Sequence, residues 1–561
     1  MRVLGISCYF HDAAAALVDD GRLIAAAEEE RFSRQKHDAG FPAHAIEFCL
    51  RTAGISASEL DRIVFYEEPF LRLERLLVSA LWTFPRSRRQ FQEAMISWLG
   101  DKIWVRHQIE DRLGVPASRI FFTEHHTSHA ASAFLASPFE DAAILTADGV
   151  GEWTTTSIAV GSGTDIRVHE EIRFPHSLGL FYSAFTAFLG FEVNEGEYKV
   201  MGLAPYGQPR YIDQVRKLVR LQRDGTFELD LDYFAFQNST DRTFSGRFVD
   251  LFGQPRRPDA DWRPYADLAA SVQAVTEEAM LGLARRARER TGLTKLCLAG
   301  GVALNSVANA RLLRESGFDE IYVQPAAGDS GGALGAALLG SERRGFVMDH
   351  AGWGAEYPNV RDVLRAEGAA FTKFNDEQQL LDRVVELLVS GRVVGWFQGR
   401  FEWGPRSLGN RSILADPRRA DMKDRVNSAV KFREPFRPFA PSVTADCAGT
   451  WFGLERAAEH YPARFMLYVV PVREDRRAAI PAVTHVDGSA RVQVVRRGAN
   501  PRFHRLLETF GAATGVPVLL NTSFNVRREP IVASPADALR TWRASGLDAV
   551  VLENCLVEKV R

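Results

Sequence analysis

Two histidines and two aspartates in this sequence have the spacing of a metal site. His125 and His129 are separated by three residues in T-E-H-H-T-S-H-A-A-S-A-F, so on a helix their imidazoles share one face. Helical histidine pairs of this kind hold zinc or iron in other proteins. Asp148 follows an apolar run that reads as a buried strand, and Asp329 opens a glycine-rich helix in G-D-S-G-G-A-L-G-A-A-L. Together the four side chains predict a site for one divalent metal ion.

Each part of this pattern also has an ordinary interpretation. A histidine pair can lie on the surface of a plain helix, and an aspartate before Gly149 and Gly151 can belong to a simple strand connection. The joint occurrence of two such carboxylates with the histidine pair favours a two-His, two-Asp site beside a nucleotide.

Glycine-rich junctions between strands and helices provide the nucleotide-binding candidates. In K-L-C-L-A-G-G-V-A-L-N, Gly300 and Gly301 follow a buried strand and Asn305 begins a helix, so backbone amides can approach phosphate oxygens. Lys199 lies in N-E-G-E-Y-K-V-M-G-L-A-P-Y-G, which we interpret as a polar loop; it either meets a phosphate or is solvated. We add Asn525, which follows a later strand, to this nucleotide-binding set.

Basic side chains in the second half of the chain lie in rigid, glycine-rich and proline-rich surroundings. The polar residues of these segments are Arg400, Arg406, Arg411, Lys431, Arg433, Arg437, His485, Arg491, Ser523 and Asn525. Scattered arginines can simply form a solvated face. Guanidinium groups that converge in a protein of near-neutral charge instead favour a cavity for a compact polyanion, bound through phosphate.

Length and composition set the broad class of the protein. A chain of 561 residues should form two or more domains, because single cores rarely exceed ~300 residues. The net charge of −2 gives no general attraction to nucleic acid or anionic lipid, so we expect neither as a partner. The five cysteines form no C-x-x-C pair, and the chain opens on a strand pattern, not a signal peptide. We therefore expect a cytoplasmic protein that spans no membrane.

The elements around the candidate residues predict an α/β protein. Residues 3–30 form strands, with His11 and Asp12 in the turn between the first two, and the strand-turn-strand pattern recurs at 144–160. Two such copies are what a duplicated actin-like ATPase fold would show, with both turns facing a nucleotide. The leucine-rich and arginine-rich segment at about 70–114 reads as inserted helices, either an acceptor-binding wall or plain helical packing.

Changes in hydrophobic periodicity indicate the domain boundaries. Apolar residues keep helical spacing over 265–290, which predicts one long helix, and the periodicity disappears between about 340 and 375. We place a first domain at 1–350, a linker at 351–375 and a second α/β domain at 376–561.

The combined motifs resemble the O-carbamoyltransferases of antibiotic and nodulation-factor biosynthesis, the NodU/CmcH family. The resemblance covers essentially the whole chain and includes F-H-D-A-A-A-A-L, H-H-T-S-H-A-A-S-A-F, K-V-M-G-L-A-P-Y-G, G-P-R-S-L-G-N-R-S, R-P-F-A-P and N-T-S-F-N. It implies a first domain similar to the threonylcarbamoyl-transferase branch of the actin-like ATPases (ASKHA) and a second similar to YrdC-type adenylate synthases. One departure is Ser407, where relatives often have alanine; we expect no loss of function from it.

The resemblance also implies a reaction. ATP and carbamoyl phosphate would give carbamoyl-adenylate in the second domain, and the first would transfer the carbamoyl group to a hydroxyl of a small-molecule acceptor from secondary metabolism. The implied carbamoyl phosphate ligands are Arg406, Lys431, Arg437, Arg491 and Ser523. In relatives the metal is ferrous iron, and Mg²⁺ is a candidate companion of ATP. His11 matches the family's active-site histidine, as a base or as an orienting group.

Two rival functions stay open. An actin-fold kinase acting on a small hydroxylated molecule would explain the first half but would leave the phosphate cluster of the second half unused. A non-catalytic ATP-binding or tRNA-modification module would predict salt-sensitive RNA binding, for which the near-neutral charge offers no support. The sequence leaves open the identity of the acceptor and the existence of a homodimer.

Overall fold

The computed structural model describes residues 1–100 and 102–559, in two compact units. The first unit contains Met1–Ile24, Ala39–Pro42 and Cys49–Val347, and the second contains Ala25–Asp38, Ala43–Phe48 and the chain from Met348 onward. Asp101 of the predicted insertion, and Val560 and Arg561 of the predicted second domain, lie outside the described residues.

Strands and helices alternate through the first 347 residues. The strands are β1 Arg2–Ser7, β2 Ala14–Asp19, β3 Arg22–Glu28, β4 Arg62–Phe65, β5 Ile120–Phe122, β6 Asp141–Ala147, β7 Thr154–Ser162, β8 Asp165–Arg173, β9 Val219–Leu221, β10 Phe227–Leu229, β11 Lys295–Ala299 and β12 Glu320–Val323. The helices are α1 Glu30–Ser33, α2 Ala43–Ala53, α3 Pro69–Trp82, α4 Arg88–Gly100, α5 Val105–Leu113, α6 His125–Phe134, α7 Leu178–Phe188, α8 Glu197–Leu203, α9 Ile212–Val215, α10 Gly246–Phe252, α11 Ala266–Thr291, α12 Ser306–Glu315 and α13 Asp329–Ser341.

Two five-stranded sheets repeat one strand order. The first sheet runs β3-β2-β1-β4-β5 and the second β8-β7-β6-β11-β12. In both sheets the leading strand pairs antiparallel with its successor and parallel with a later strand: β1 with β2 and β4, and β6 with β7 and β11. The shared order confirms the predicted α/β class and its duplication. The predicted long helix is also confirmed, as α11.

Helix α13 packs against both α6 and β1. Its small residues allow this close approach. A side chain on Gly335 would place its Cβ 1.8 Å from the backbone oxygen of Ser128 in α6, a distance that only glycine avoids. The contact brings Asp329, the first residue of α13, to the face of α6 that carries the histidines.

The second unit is built on a large mixed sheet. The strands of the unit are β13 Thr372–Lys373, β14 Val394–Phe397, β15 Arg411–Ala415, β16 Ala440–Thr444, β17 Val469–Pro471, β18 Ser489–Arg491, β19 Gln493–Val495, β20 Val518–Ser523, β21 Ala549–Leu552 and β22 Cys555–Glu558. Its helices after residue 348 are α14 Val360–Ala366, α15 Glu377–Val389, α16 Met422–Val426, α17 Ala445–Trp451, α18 Tyr461–Arg464, α19 Pro501–Thr514 and α20 Pro535–Ala544. Eight strands follow the order β13-β22-β21-β14-β15-β20-β16-β19, and α15 packs on α19 over the core.

The segment 351–375, interpreted from the sequence as a linker, contains regular structure. It includes α14 and β13, and β13 pairs antiparallel with β22, so this segment contributes a strand to the eight-stranded sheet. In the first unit, the stretch 194–207, expected as a polar loop, contains α8 and a short turn, because Val200 and Leu203 are buried. Among the described helices, none combines the length and apolar character needed to cross a bilayer.

A short N-terminal segment belongs to the second unit, a feature that the sequence did not indicate. The carboxylate of Glu28 accepts the backbone N–H of Gly404 at 2.6 Å. The ring of Phe32 contacts that of Phe401, with 5.8 Å between centroids. Arg34 donates to the carbonyl of Ile531 at 2.7 Å. These contacts make residues near position 30 part of the same packed body as residues beyond 400.

Candidate active site

The four predicted metal ligands of the first unit converge on one point. The Nε2 atoms of His125 and His129 on α6 are 3.0 Å apart. Oδ2 of Asp148 lies 3.0 and 3.5 Å from them, and Oδ1 of Asp329 lies 3.7 and 3.5 Å away. Metal–ligand bonds of 2.0–2.2 Å in a tetrahedral site would separate the donor atoms by about 3.4 Å. These residues, hereafter the quartet, therefore fit a single ion.

The electrostatics of the quartet also suit a cation. Asp329 is buried, and neither of its carboxylate oxygens has a hydrogen-bond partner among the described residues. A buried carboxylate without compensation is strongly unfavourable, and a divalent ion removes the penalty. Burial alone would lower the pKa of His129, but Asp148 and Asp329 outweigh it and raise that pKa to about 9. The field that attracts a proton here would attract a metal ion in the same way.

Neighbouring groups fix the ligands in place. The carboxylate of Glu152 accepts the backbone N–H of His125 at 3.0 Å, at the first turn of α6. The backbone N–H of Gly301 donates to Oδ1 of Asp148 at 2.8 Å, leaving Oδ2 for the histidines. A Cβ at position 301 would lie 2.9 Å from that same Oδ1, so glycine is needed for this hydrogen bond. These contacts set the orientation of the donors, as hydrogen bonds to ligating side chains do in metal sites.

The structure places His11 beside the quartet. Its Nε2 lies 3.6 Å from Oδ2 of Asp329, and its Nδ1 lies 2.9 Å from Oδ2 of Asp12. Burial opposes a charge on His11, but Asp329 and Asp12 outweigh it and raise the pKa to about 10. The turn between β1 and β2 thus holds an imidazole next to a predicted metal ligand.

The nucleotide candidates occupy different surroundings. Gly300 and Gly301 lie at the quartet, through the hydrogen bond to Asp148. Asn305 caps α12 by accepting the N–H of Ala308 at 3.1 Å, and its side-chain amide also bonds Gln273. Lys199 lies on α8, with Nζ 5.8 Å from the ring centre of Phe191. Asn525 belongs to the second unit and is described next.

Lys431 lies at the centre of a polar cluster in the second unit. It is buried in a π-helical turn, Asn427–Lys431, and its ammonium donates to Oγ of Ser523 at 3.1 Å and to Oδ1 of Asn525 at 2.7 Å. Burial first, and then the charges of Arg433 and Arg437, hold the pKa of Lys431 well below its usual range. The ammonium is therefore surrounded by neutral acceptors and by positive charge.

Arg491 shows the same behaviour. Burial lowers its pKa, and the charges of Arg406, Arg433 and Arg437 lower it further. These three arginines are thus near enough to Arg491 to repel its charge. Repulsion of this kind is relieved when a polyanion binds between the guanidinium groups.

Two of the arginines in the sequence pattern have a structural role instead. Arg400 donates to the carbonyl of Gly354 at 2.8 Å. Arg411 is fully buried, donates to the carbonyl of Gln398 at 2.8 Å and stacks on Phe397. Both hold loops together. Spacing alone did not separate them from the arginines of the cluster.

Comparison with known proteins identifies the family. A family model described as the carbamoyltransferase N-terminus matches residues 2–338, and one described as the carbamoyltransferase C-terminus matches residues 385–559. The chain belongs to the carbamoyltransferase family. This confirms the resemblance drawn from the motifs, and it makes the protein a transferase.

Individual relatives agree with this assignment. The carbamoyltransferase is 47% identical to the protein sll1178 of Synechocystis sp., over 99% of this chain and 96% of the relative. It is 42% identical to the nodulation protein NolNO of Sinorhizobium fredii, over 98% and 79% of the two chains. It is 38% identical to a 3'-hydroxymethylcephem-O-carbamoyltransferase of Amycolatopsis lactamdurans, over 52% and 53%.

Several residues near the quartet of this carbamoyltransferase were missed by the sequence analysis. Glu152 was visible in the motif D-G-V-G-E-W but was not assigned a role. Arg72 and Arg75 are spaced by three residues on α3, and both are buried. Arg72 forms an ion pair with Glu67, which is also buried. The leucine-rich surroundings of these arginines suggested apolar packing and concealed a charged inner face.

Proposed function

We propose that this carbamoyltransferase is an ATP-dependent O-carbamoyltransferase acting on a hydroxyl of a small molecule, of the kind made in secondary metabolism. The observation that carries the proposal is that the chain contains two complementary sites. The quartet beside His11 is suited to a cation, and the cluster around Lys431 is suited to an anion. A relative named as an O-carbamoyltransferase supports oxygen as the acceptor atom.

The second unit would activate the carbamoyl group. Its carbamoyl phosphate ligands would be Arg406, Lys431, Arg437, Arg491 and Ser523, with Asn525 toward ATP. Water releases phosphate from carbamoyl phosphate and leaves carbamate. A carbamate oxygen then attacks the α-phosphorus of ATP, and pyrophosphate departs with formation of carbamoyl-adenylate. The arginines would stabilise the phosphate charges in both steps, as electrostatic catalysis requires.

The first unit would carry out the transfer. The quartet would hold a divalent ion. The resemblance to the O-carbamoyltransferases implies that this ion is Fe(II). Gly300, Gly301, Asn305 and Lys199 would lie toward the adenylate. Such an ion, when bound, supplies Lewis-acid stabilisation of phosphate charge. His11 would orient the acceptor hydroxyl or take its proton. The hydroxyl oxygen attacks the carbamoyl carbon, and AMP leaves.

Product analysis tests the proposal directly. The purified protein is incubated with ATP and carbamoyl phosphate, with or without candidate alcohols, and nucleotides and carbamates are identified by mass spectrometry. We expect AMP and pyrophosphate only when carbamoyl phosphate is present. Formation of ADP without carbamoyl phosphate would instead indicate a kinase and would overturn the proposal. Metal analysis of the same preparation tests the choice of Fe(II).

A further inference from the structure

Helix α3 (Pro69–Trp82) buries charge and exposes apolar groups. Arg72, Arg75 and Ser79, which share one face, are 6%, 6% and 8% exposed. Phe70 and Trp82 on the same helix are 67% and 69% exposed. A helix that only packed against a core would show the opposite pattern. The inner face of α3 is therefore polar for a reason other than packing.

No carboxylate of the described residues pairs with the guanidinium of Arg75 inside this face. Among the described residues it forms no ion pair within 4.0 Å, and its buried Nε has no hydrogen-bond acceptor. The nearby carboxylates are already engaged: Glu67 pairs with Arg72, and Glu152 accepts backbone N–H groups at the starts of α3 and α6. Burial, and then the charge of Arg72, lower the pKa of Arg75 to about 9. A buried cation in this state is unfavourable unless an anion joins it.

The position of Arg75 relates it to the predicted acceptor site. Its guanidinium lies 5.1 Å from the ring centre of Phe174, whose N–H donates to the carbonyl of Trp153 at 2.7 Å. Trp153 follows Glu152, the residue that holds the first turn of α6. On the other side, Arg72 lies 4.8 Å from the ring centre of Phe10, which is next to His11. The inner face of α3 therefore lies near the segments that carry Glu152 and His11.

We propose that Arg75 binds an anionic group of the acceptor, so that the enzyme carbamoylates hydroxylated oxyanions such as hydroxy acids. A guanidinium matches a carboxylate or a phosphate with two parallel hydrogen bonds. The proposed adenylate side of the site is at Gly301. Arg75 instead contacts Phe174, which is hydrogen-bonded to Trp153. The ring of Trp153 contacts the exposed Trp82, with 6.0 Å between ring centroids. An acceptor with an apolar body and one negative charge fits these neighbours. The inference rests on the proposed function.

Binding of two matched probes tests the role of Arg75. The probes are para-hydroxymethylbenzoate and its methyl ester, which share a hydroxyl and a ring and differ in charge. Dissociation constants are measured by calorimetry for the full chain, for Arg75→Gln and Arg75→Lys, and for Arg86→Gln at an exposed position of the same segment. We expect the native protein and Arg86→Gln to prefer the acid by roughly tenfold or more. Arg75→Gln should abolish the preference, and Arg75→Lys should retain part of it.

Two further measurements separate this role from others. Because Arg75→Gln removes an uncompensated buried charge, its melting temperature should equal or exceed that of the native protein; a lower value would indicate a structural role and overturn the proposal. Formation of AMP and pyrophosphate without acceptor should be unchanged in Arg75→Gln. A decrease would assign Arg75 to the adenylate phosphate. Equal binding of both probes by the native protein would also overturn the proposal, whereas absence of AMP in every variant would overturn only the proposed function.

Discussion

The quartet and the Lys431 cluster are both buried, yet their pKa shifts run in opposite directions. In the quartet, the pKa of His129 is raised to about 9 although burial disfavours its charge. In the second unit, the pKa values of Lys431 and Arg491 fall well below their usual ranges. Burial is common to the two sites, so the sign of the neighbouring charges decides the difference. This difference supports the proposal that one site binds a cation and the other an anion.

The two sites also differ in what holds their side chains. The quartet is carried by α6, by the residue after β6 and by the first residue of α13, which are packed elements. Arg406 and Arg437 lie between strands, and Lys431 lies in a π-helical turn. Bonds to a metal ion are short and directional, whereas charged contacts to a phosphate group tolerate more variation. The quartet, whose predicted ligand is a single ion, thus lies on the more rigid elements of the two sites.

The largest expected effect comes from removing a quartet ligand. Asp329→Asn should lower metal content and reduce carbamoyl transfer by at least about a hundredfold, because a neutral amide is a weak ligand. Formation of AMP and pyrophosphate from carbamoyl phosphate and ATP should continue. Metal analysis and product quantification by mass spectrometry are the measurements. His107→Gln, at an exposed histidine of the same unit, serves as the control; loss of both half-reactions in Asp329→Asn would contradict the division between sites.

The complementary change is made in the second unit. Lys431→Met removes an ammonium whose charge-assisted contacts are each valued at about 1.5–3 kcal/mol, so AMP formation should fall roughly tenfold to a hundredfold. Metal content should stay unchanged. The rate of pyrophosphate release measures the effect, and Lys373→Met, at an exposed position of β13, is the matched control. Unaltered pyrophosphate release would remove Lys431 from the proposed carbamoyl phosphate site.

A smaller effect is expected from a methyl group beside the quartet. Gly301→Ala would place a Cβ 2.9 Å from Oδ1 of Asp148 and displace that carboxylate, so metal affinity should fall by about tenfold. Gly149→Ala is the control, because its Cβ would meet only a leucine methyl group at 4.0 Å. Metal titration of the two variants gives the comparison. Equal affinities would show that the hydrogen bond from residue 301 does not matter to the ion.

The smallest expected effect is a change in the number of protons bound when carbamoyl phosphate binds. Burial, and then positive neighbours, lower the pKa of Lys431. Binding of carbamoyl phosphate should raise that pKa and cause proton uptake at pH values between the lowered pKa and the raised one. Calorimetry in buffers of different ionisation enthalpy measures the number of protons exchanged. Lys431→Met should abolish the uptake. Proton release by the native protein would mean that the charges around Lys431 have been assigned the wrong sign.

Local sequence patterns predicted the individual residues of the quartet, because each pattern involves only a few neighbouring positions. A pair of histidines one helical turn apart must share a face, and an aspartate after a buried strand must lie at the edge of a sheet. The α/β class and the duplication followed from periodicity for the same reason.

Features that depend on distant contacts were not predicted. The leucines of α3 suggested an apolar inner face, but Arg72 lies inside, where it pairs with Glu67, and Arg75 is buried next to it. Arg411 looked like a ligand-binding residue, and its carbonyl partners are visible only in the folded chain. Periodicity also gave no sign that α14 and β13 interrupt the expected linker.

Residues 25–38 and 43–48 belong to the second unit, and this limits where the chain can be truncated. A truncated protein that starts at Met348 would lack Phe32 against Phe401 and the acceptor Glu28 for Gly404. The matching N-terminal fragment would retain that segment but lose its packing partners, and would expose it to proteases. We therefore expect the two units to be inherited and produced as one polypeptide, since no single cut in the chain yields two complete units.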